Sequence, residues 1–281
     1  MMMTPVTLTA TTVFFYLCSV VAYFVFLAVQ GNRFYRAGYY LLLAGIFVHT
    51  VLLGINITAR GHLPVFNLAQ TLFVVSWALG CAFLLLHHRL RLNFFGIYVA
   101  PLVLLVFLAA ILLPETANEQ IPGLKRLANN GWLVAHIVTV FIGFAALAMA
   151  AGLGGFYLIQ ERAIKQKKHG FFYRRLPPLQ LLDNAGYACL VAGFTMLTVG
   201  LVTGIVYAGL TWGRFWAWDP KEVWSGVTWL VYAALLHQRL AVGWQGRRAA
   251  IMAILGFAVL LFTFLGVNFL LEGHHGVFTR V

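Results

Sequence analysis

The stretch Gly131–Gln160, "GWLVAHIVTVFIGFAALAMAAGLGGFYLIQ", runs for 30 residues without a single Asp, Glu, Lys or Arg. As a helix it would measure roughly 45 Å at 1.5 Å per residue, more than a hydrocarbon core of ~30 Å needs. Such a run predicts a membrane-spanning helix that continues past the bilayer. The 281-residue chain as a whole is 62% hydrophobic and only 9% charged, whereas a soluble domain carries about 25% charged residues. Backbone polar groups in lipid must be satisfied within the segment, so the apolar runs are read as helices. Eight qualify, near 10–30, 38–57, 68–87, 93–113, 131–160, 185–209, 224–242 and 249–270. The expected fold is all-α, a polytopic integral membrane protein forming a single domain over residues 1–281. The first run lacks the basic start and small-residue cleavage site of a signal peptide and is kept as a helix.

A net charge of +12 suggests nucleic acid until the charges are located. Thirteen of the 19 basic residues fall in the first, third, fifth and seventh loops, including Arg33, Arg89, Arg162, Lys165, Arg175, Arg247 and Arg248. By the positive-inside rule those loops are cytoplasmic and both termini lie outside. The basic charge therefore reads as orientation plus contact with anionic membrane lipid, and no nucleic acid is expected. Cys18, Cys81 and Cys189 all sit inside spans with no CxxC pair, so they read as small buried hydrophobes and redox chemistry on them is not expected.

The loop at 210–224 is different. "TWGRFWAWDPKEVW" holds Trp212, Trp216, Trp218 and Trp224, with Arg214 and Lys221 among them. Asp219, Pro220 and Glu222 follow the pattern of an N-cap, a first-position proline and a capping box, so the seventh helix starts there. Helix capping accounts for those three residues but not for four crowded tryptophans. An aromatic belt places one or two at a helix end. The two readings are an unusually heavy belt, or a platform for a flat apolar ligand with cations for its acidic substituents.

Nine histidines bear on the choice. His87 and His88 beside Arg89, His169 in a basic loop and His62 in an outer loop read as interfacial or solvated. His136, early in the fifth helix, and the pair His274 and His275 after the last one fall on the same side as the tryptophan loop. Two imidazoles flanking an aromatic platform are what axial ligation of a haem iron requires. His49 and His237 fall within spans, where an ionisable group is a functional candidate, against the plain alternative of a neutral histidine bonded to a neighbouring helix.

"WGRFWAWDPKEVWSGVTWLVYAALLHQRL" resembles the tryptophan-rich, WWD-type signature of haem-handling membrane proteins, nearest to the CcsA/ResC family of cytochrome c synthase subunits in System II. "VHTVLLGINITARGHLPVFNLAQTLFVVSW", "WLVAHIVTVFIGFAALA" and "GVNFLLEGHHGVF" resemble further stretches of that family in the expected order. The ending differs, with "GHHGVFTRV" where the family commonly has Leu-His-Ser-Tyr-Gly.

The resemblance implies that His136 and His275 are outer haem ligands and that His237 is a ligand to a transmembrane haem. It implies non-covalent binding of haem b and its presentation at the outer or periplasmic face, for attachment to the CxxCH thiols of apocytochrome c. A CcsB/ResB-type membrane subunit is the implied partner, in a bacterial cytoplasmic or thylakoid-type membrane. Whether the chain is itself part of a cytochrome c haem lyase, a HemX-type haem-binding regulator without synthase activity, or a small-molecule transporter stays open at this point. From the predicted span ends, His49 lies ~12 Å and His237 ~20 Å below the outer edge. Either the spans shift and His49 and His237 share a second, internal haem, or a partner supplies the ligand opposite His237. The resemblance, which implies a two-subunit synthase, favours the partner.

Overall fold

The computed structural model describes residues 4–90, 93–114, 130–167, 170 and 173–266. Eight α-helices account for most of them: α1 Pro5–Val29, α2 Asn32–Arg60, α3 Leu68–Leu90, α4 Gly96–Leu112, α5 Gly131–Lys165, α6 Leu179–Trp212, α7 Pro220–Ala241 and α8 Arg247–Leu261. A short 3-10 turn, Asn93–Phe95, leads into α4, and a π turn, Phe262–Gly266, follows α8. No strand occurs among the described residues. Among the described residues, seven helical segments are long and apolar enough to cross a membrane, and the protein is an integral membrane protein. Among the eight predicted spans, α7 is the one outside that group. Its 22 residues include Lys221, Glu222, His237, Gln238 and Arg239.

The helices form two compact units, α1–α4 within Met1–Lys125 and α5–α8 within Arg126–Arg280. Within the first, α1 and α2 join through tyrosines seated on glycines. Tyr16 and Tyr23 are fully buried, and a Cβ on Gly45 would stand 2.6 Å from the Tyr16 ring. A Cβ on Gly38 would stand 2.9 Å from Tyr23. Ser19 Oγ donates to Gly38 O at 2.8 Å across the same seam. In lipid no hydrophobic force drives helices together, so close backbone approach and hydrogen bonds of this kind are what hold them.

The second unit uses the same device along α5 and α6. A Cβ on Gly143 would lie 3.2 Å from Gly193 O, and one on Gly200 would meet Val140 at 2.6 Å. Helix α8 closes on α5 at Gly154, where a Cβ would stand 2.9 Å from Ala250 O. Helix α7 is fastened to this frame by side chains: Thr228 and Thr263 hydroxyls meet at 2.7 Å, and Trp229 Nε1 donates to Thr198 Oγ1 at 2.9 Å.

Candidate functional site

The tryptophan loop joins α6 to α7, and its geometry begins with the helix ends. Helix α6 stops at Gly213, whose φ of 70° is the left-handed conformation glycine adopts freely. Helix α7 starts as the spacing predicts. Asp219 caps it, accepting from Lys221 N at 2.9 Å, and Pro220 takes the first position. Glu222 reaches back to accept from Ala217 N at 2.7 Å and Asp219 N at 3.4 Å. The carboxylates of Asp219 and Glu222 are thereby committed to the backbone. Lys221 stands in the first turn, ahead of the apolar part of α7. Burial pushes its ammonium down to about 8, with Asp219 pulling the other way.

The four tryptophans do not share one surface. Trp224 packs edge-on against Phe262 with ring centroids 4.7 Å apart, and Trp212 packs against Tyr207 at 5.9 Å. Trp216 and Trp218 contact each other at 6.1 Å, with ring planes 86° apart. The part of the loop that meets its surroundings is Trp212, Arg214, Phe215 and Trp218, of which Trp218 is 77% exposed. Trp218 also has φ of 58°, an uncommon conformation for a bulky residue that costs of order 1–3 kcal/mol. Strain and exposure thus coincide at this residue.

His136 sits in the second turn of α5, half-buried, with its ring laid against α6. Its Nδ1 lies 2.7 Å from Gly200 O. A backbone carbonyl only accepts, so Nδ1 carries the proton and the lone pair falls on Nε2, the nitrogen able to bind a metal. Bare glycine makes room for this pose: a Cβ on Gly204 would stand 2.7 Å from His136 Nδ1 and 2.8 Å from Cε1. Gly200 and Gly204 were not among the predicted site residues. The signal for them is the small-xxx-small spacing "GLVTG", which marks close helix contact.

His237 is exposed on α7. His49 belongs to the first unit and is fully buried. Its Nδ1 meets Tyr16 OH at 3.0 Å, and Phe73 and Phe107 close around it at centroid distances of 4.3 and 4.8 Å. Its Nε2 has no hydrogen-bond partner. Of the histidines read as interfacial, His87 Nε2 pairs with Tyr35 OH at 2.7 Å, and buried His62 pairs through Nδ1 with Leu63 O at 2.9 Å. His274 and His275, like His169, lie outside the described residues. The structure thus gathers the tryptophan loop, His136 and His237 into the second unit and leaves His49 in the first.

The family described as cytochrome c assembly protein matches residues 65–275. The chain belongs to that family. Among its relatives, cytochrome c biogenesis protein CcsA of Guillardia theta is 34% identical over 261 residues, spanning 87% of this chain and 86% of that protein. The protein of the same name from Synechococcus elongatus is also 34% identical, over 266 residues, covering 80% and 82% of the two chains. Among solved structures, cytochrome c heme lyase CcmF superposes with a TM-score of 0.66 at 19% identity, over 94% of this chain. The match covers 47% of that structure, so this family member spans about half its length and shares its fold.

Proposed function

We propose that this CcsA-family chain holds haem b non-covalently and presents it at the outer membrane face for attachment to the CxxCH thiols of apocytochrome c. It would act with a CcsB/ResB-type membrane subunit. The coarse role, cytochrome c biogenesis, follows from family membership. The observation that carries the finer reading is the His136 pose. Its Nδ1 donates to Gly200 O at 2.7 Å, the outer-sphere contact that fixes a metal-ligating imidazole. The exposed Trp218 and Phe215 rings offer apolar faces, and Arg214 beside them offers a cation for propionates. Lys221 is the second candidate cation. Haem supplies the vinyl groups on which thioether bonds form, and the reactivity is that of the cofactor and the thiols.

What the chain contributes is placement. His136 and His275 would hold the iron. Trp212, Trp216, Trp218 and Trp224 would shape the loop, and Asp219 would hold its last turn. Bringing vinyl groups within reach of two thiols lowers the barrier through proximity and orientation alone. His237, exposed on α7, would bind a second, transmembrane haem. Its exposure supports a ligand supplied by the partner subunit more than one supplied by the sealed His49.

The deciding experiment is the visible spectrum of the purified protein with a pyridine haemochrome assay. Haem in the wild type, and a high-spin, imidazole-restorable spectrum in His136→Ala, are expected. Identical spectra in the two proteins would refute the ligand assignment. A protein without haem would point to a transporter. A haem protein whose loss leaves c-type cytochromes maturing normally would be a HemX-type regulator. Single alanine variants of His274 and His275 decide between them, with the disturbance expected at His275.

A further inference from the structure

We propose that Asp183 is a positioning residue for His237, acting through Arg239 to set the rotation of α7 about its own axis. This rests on the reading of His237 as a ligand to a transmembrane haem. Two stripes run along α7. Thr228, Tyr232 and Leu235 are buried, and Arg239 continues their side of the helix one turn on. Val227, Leu230, Ala234 and His237 are exposed. At 100° per residue, His237 and Arg239 are 200° apart, so what holds one aims the other.

Among the described residues, three links between side chains help hold α7 in its unit, beside a bond from Thr263 Oγ1 to Trp224 O at 3.3 Å. Thr228 to Thr263 and Trp229 to Thr198 are neutral hydrogen bonds, and they lie about 12 Å along the axis from His237. The third is Arg239, only two residues or about 3 Å away. Its Nη1 donates to Asp183 Oδ1 at 3.0 Å and its Nη2 to Asp183 Oδ2 at 2.6 Å. Asp183 accepts a third bond from Gly246 N at 2.9 Å, and the guanidinium lies 4.5 Å over the Tyr187 ring. Both charged side chains are largely shielded, at 9% and 13% exposure.

A two-bond fork fixes orientation as well as distance, which a lysine ammonium cannot do. Asp183 stands at the start of α6, Arg239 at the end of α7 and Gly246 at the start of α8. One carboxylate therefore fixes three chain segments at the level of the histidine. Without it, the neutral fastenings and the buried Tyr232 and Leu235 still hold the rest of α7, and the turn carrying His237 loses its charged anchor.

The test uses the full chain co-expressed with its partner membrane subunit, comparing Asp183→Asn, Arg239→Lys, the charge swap Asp183→Arg/Arg239→Asp, and His237→Ala. The readouts are haem content per chain and the low-spin signature in visible and electron paramagnetic resonance spectra. Asp183→Asn and Arg239→Lys should each remove most of the low-spin signal that His237→Ala removes, and leave the share that depends on His136. Added imidazole should restore it in both, and the swap should recover part of it.

A low-spin signal unchanged in Asp183→Asn but reduced in His237→Ala would overturn the positioning role and leave the ligand reading standing. If His237→Ala leaves the spectrum unchanged, the ligand reading falls. Rotation is then read from a spin label at Ala234→Cys, one turn back on the same face. Altered label mobility in Asp183→Asn supports the clamp, and identical mobility refutes it. Should Asp183→Asn not fold, Arg239→Lys, which keeps the charge and loses the fork, separates the same outcomes.

Discussion

His49 and His136 are both histidines in apolar helices, both engaged through Nδ1, and the partner of each makes them different groups. Gly200 O can only accept, so it assigns the His136 tautomer and turns Nε2 into a base. Tyr16 OH can donate or accept, so it assigns nothing to His49. The surroundings follow the same division. His136 is half-buried over glycines, whereas His49 is enclosed by aromatic rings with no exposed surface. Embedding a histidine in a membrane helix does not by itself make it a ligand. A tautomer fixed with the lone pair on Nε2 is what metal binding needs, and the Gly200 contact supplies it at His136.

The sharpest way to break this contrast is to delete each ring. His136→Ala should lose most outer haem, with partial recovery in imidazole, while His49→Ala should leave the spectrum of the lone chain intact. A second bis-histidine haem in the lone chain that disappears in His49→Ala would reverse the contrast. Next in size is the seat of His136. Gly204→Ala places a methyl where the ring lies, and overpacking of this kind costs about 1–3 kcal/mol. We expect haem affinity to fall about 10–100-fold, read by titration, with the helical content unchanged. Gly209→Ala, also overpacked, against Phe215, should lack the iron-ligand signature of that loss.

A smaller effect is expected from Tyr16→Phe, which strips the Nδ1 partner from a buried imidazole. The cost should be about 1–3 kcal/mol, seen as a lower unfolding temperature in detergent. Haem spectra should stay the same, and a spectral change would place His49 at the cofactor. The smallest effect is at Trp218. Trp218→Gly removes a bulky side chain from φ of 58° and should raise stability by up to about 1 kcal/mol, while haem retention declines. A variant that loses stability would show that the exposed indole is structural.

The helices were legible because membrane solvation turns length and hydropathy into a direct signal. The predicted run at 131–160 is the core of α5, Gly131–Lys165, and the start at Asp219 follows from local capping chemistry. Pairings between distant positions were not legible. Tyr16 with His49 spans 33 residues and Arg239 with Asp183 spans 56, and no local pattern records such partners. The tryptophans were misleading as a group. Trp218 adopts a left-handed backbone, and Trp212 and Trp224 turn to different neighbours, so proximity in sequence did not become a shared face. The aromatic clustering was readable; its division was not.

Helices α5 and α6 have 35 and 34 residues, each about 50 Å long at 1.5 Å per residue. Even at a tilt of about 40°, the upper end of the usual range, each outruns a ~30 Å core by roughly 10 Å. At the junction of the two, Glu161, Arg162, Lys165 and Asp183 mark the polar end of this excess. The described ends of these two helices therefore form rigid stubs beyond the hydrocarbon. An antibody fragment raised against them would give single-particle images a fixed landmark for alignment.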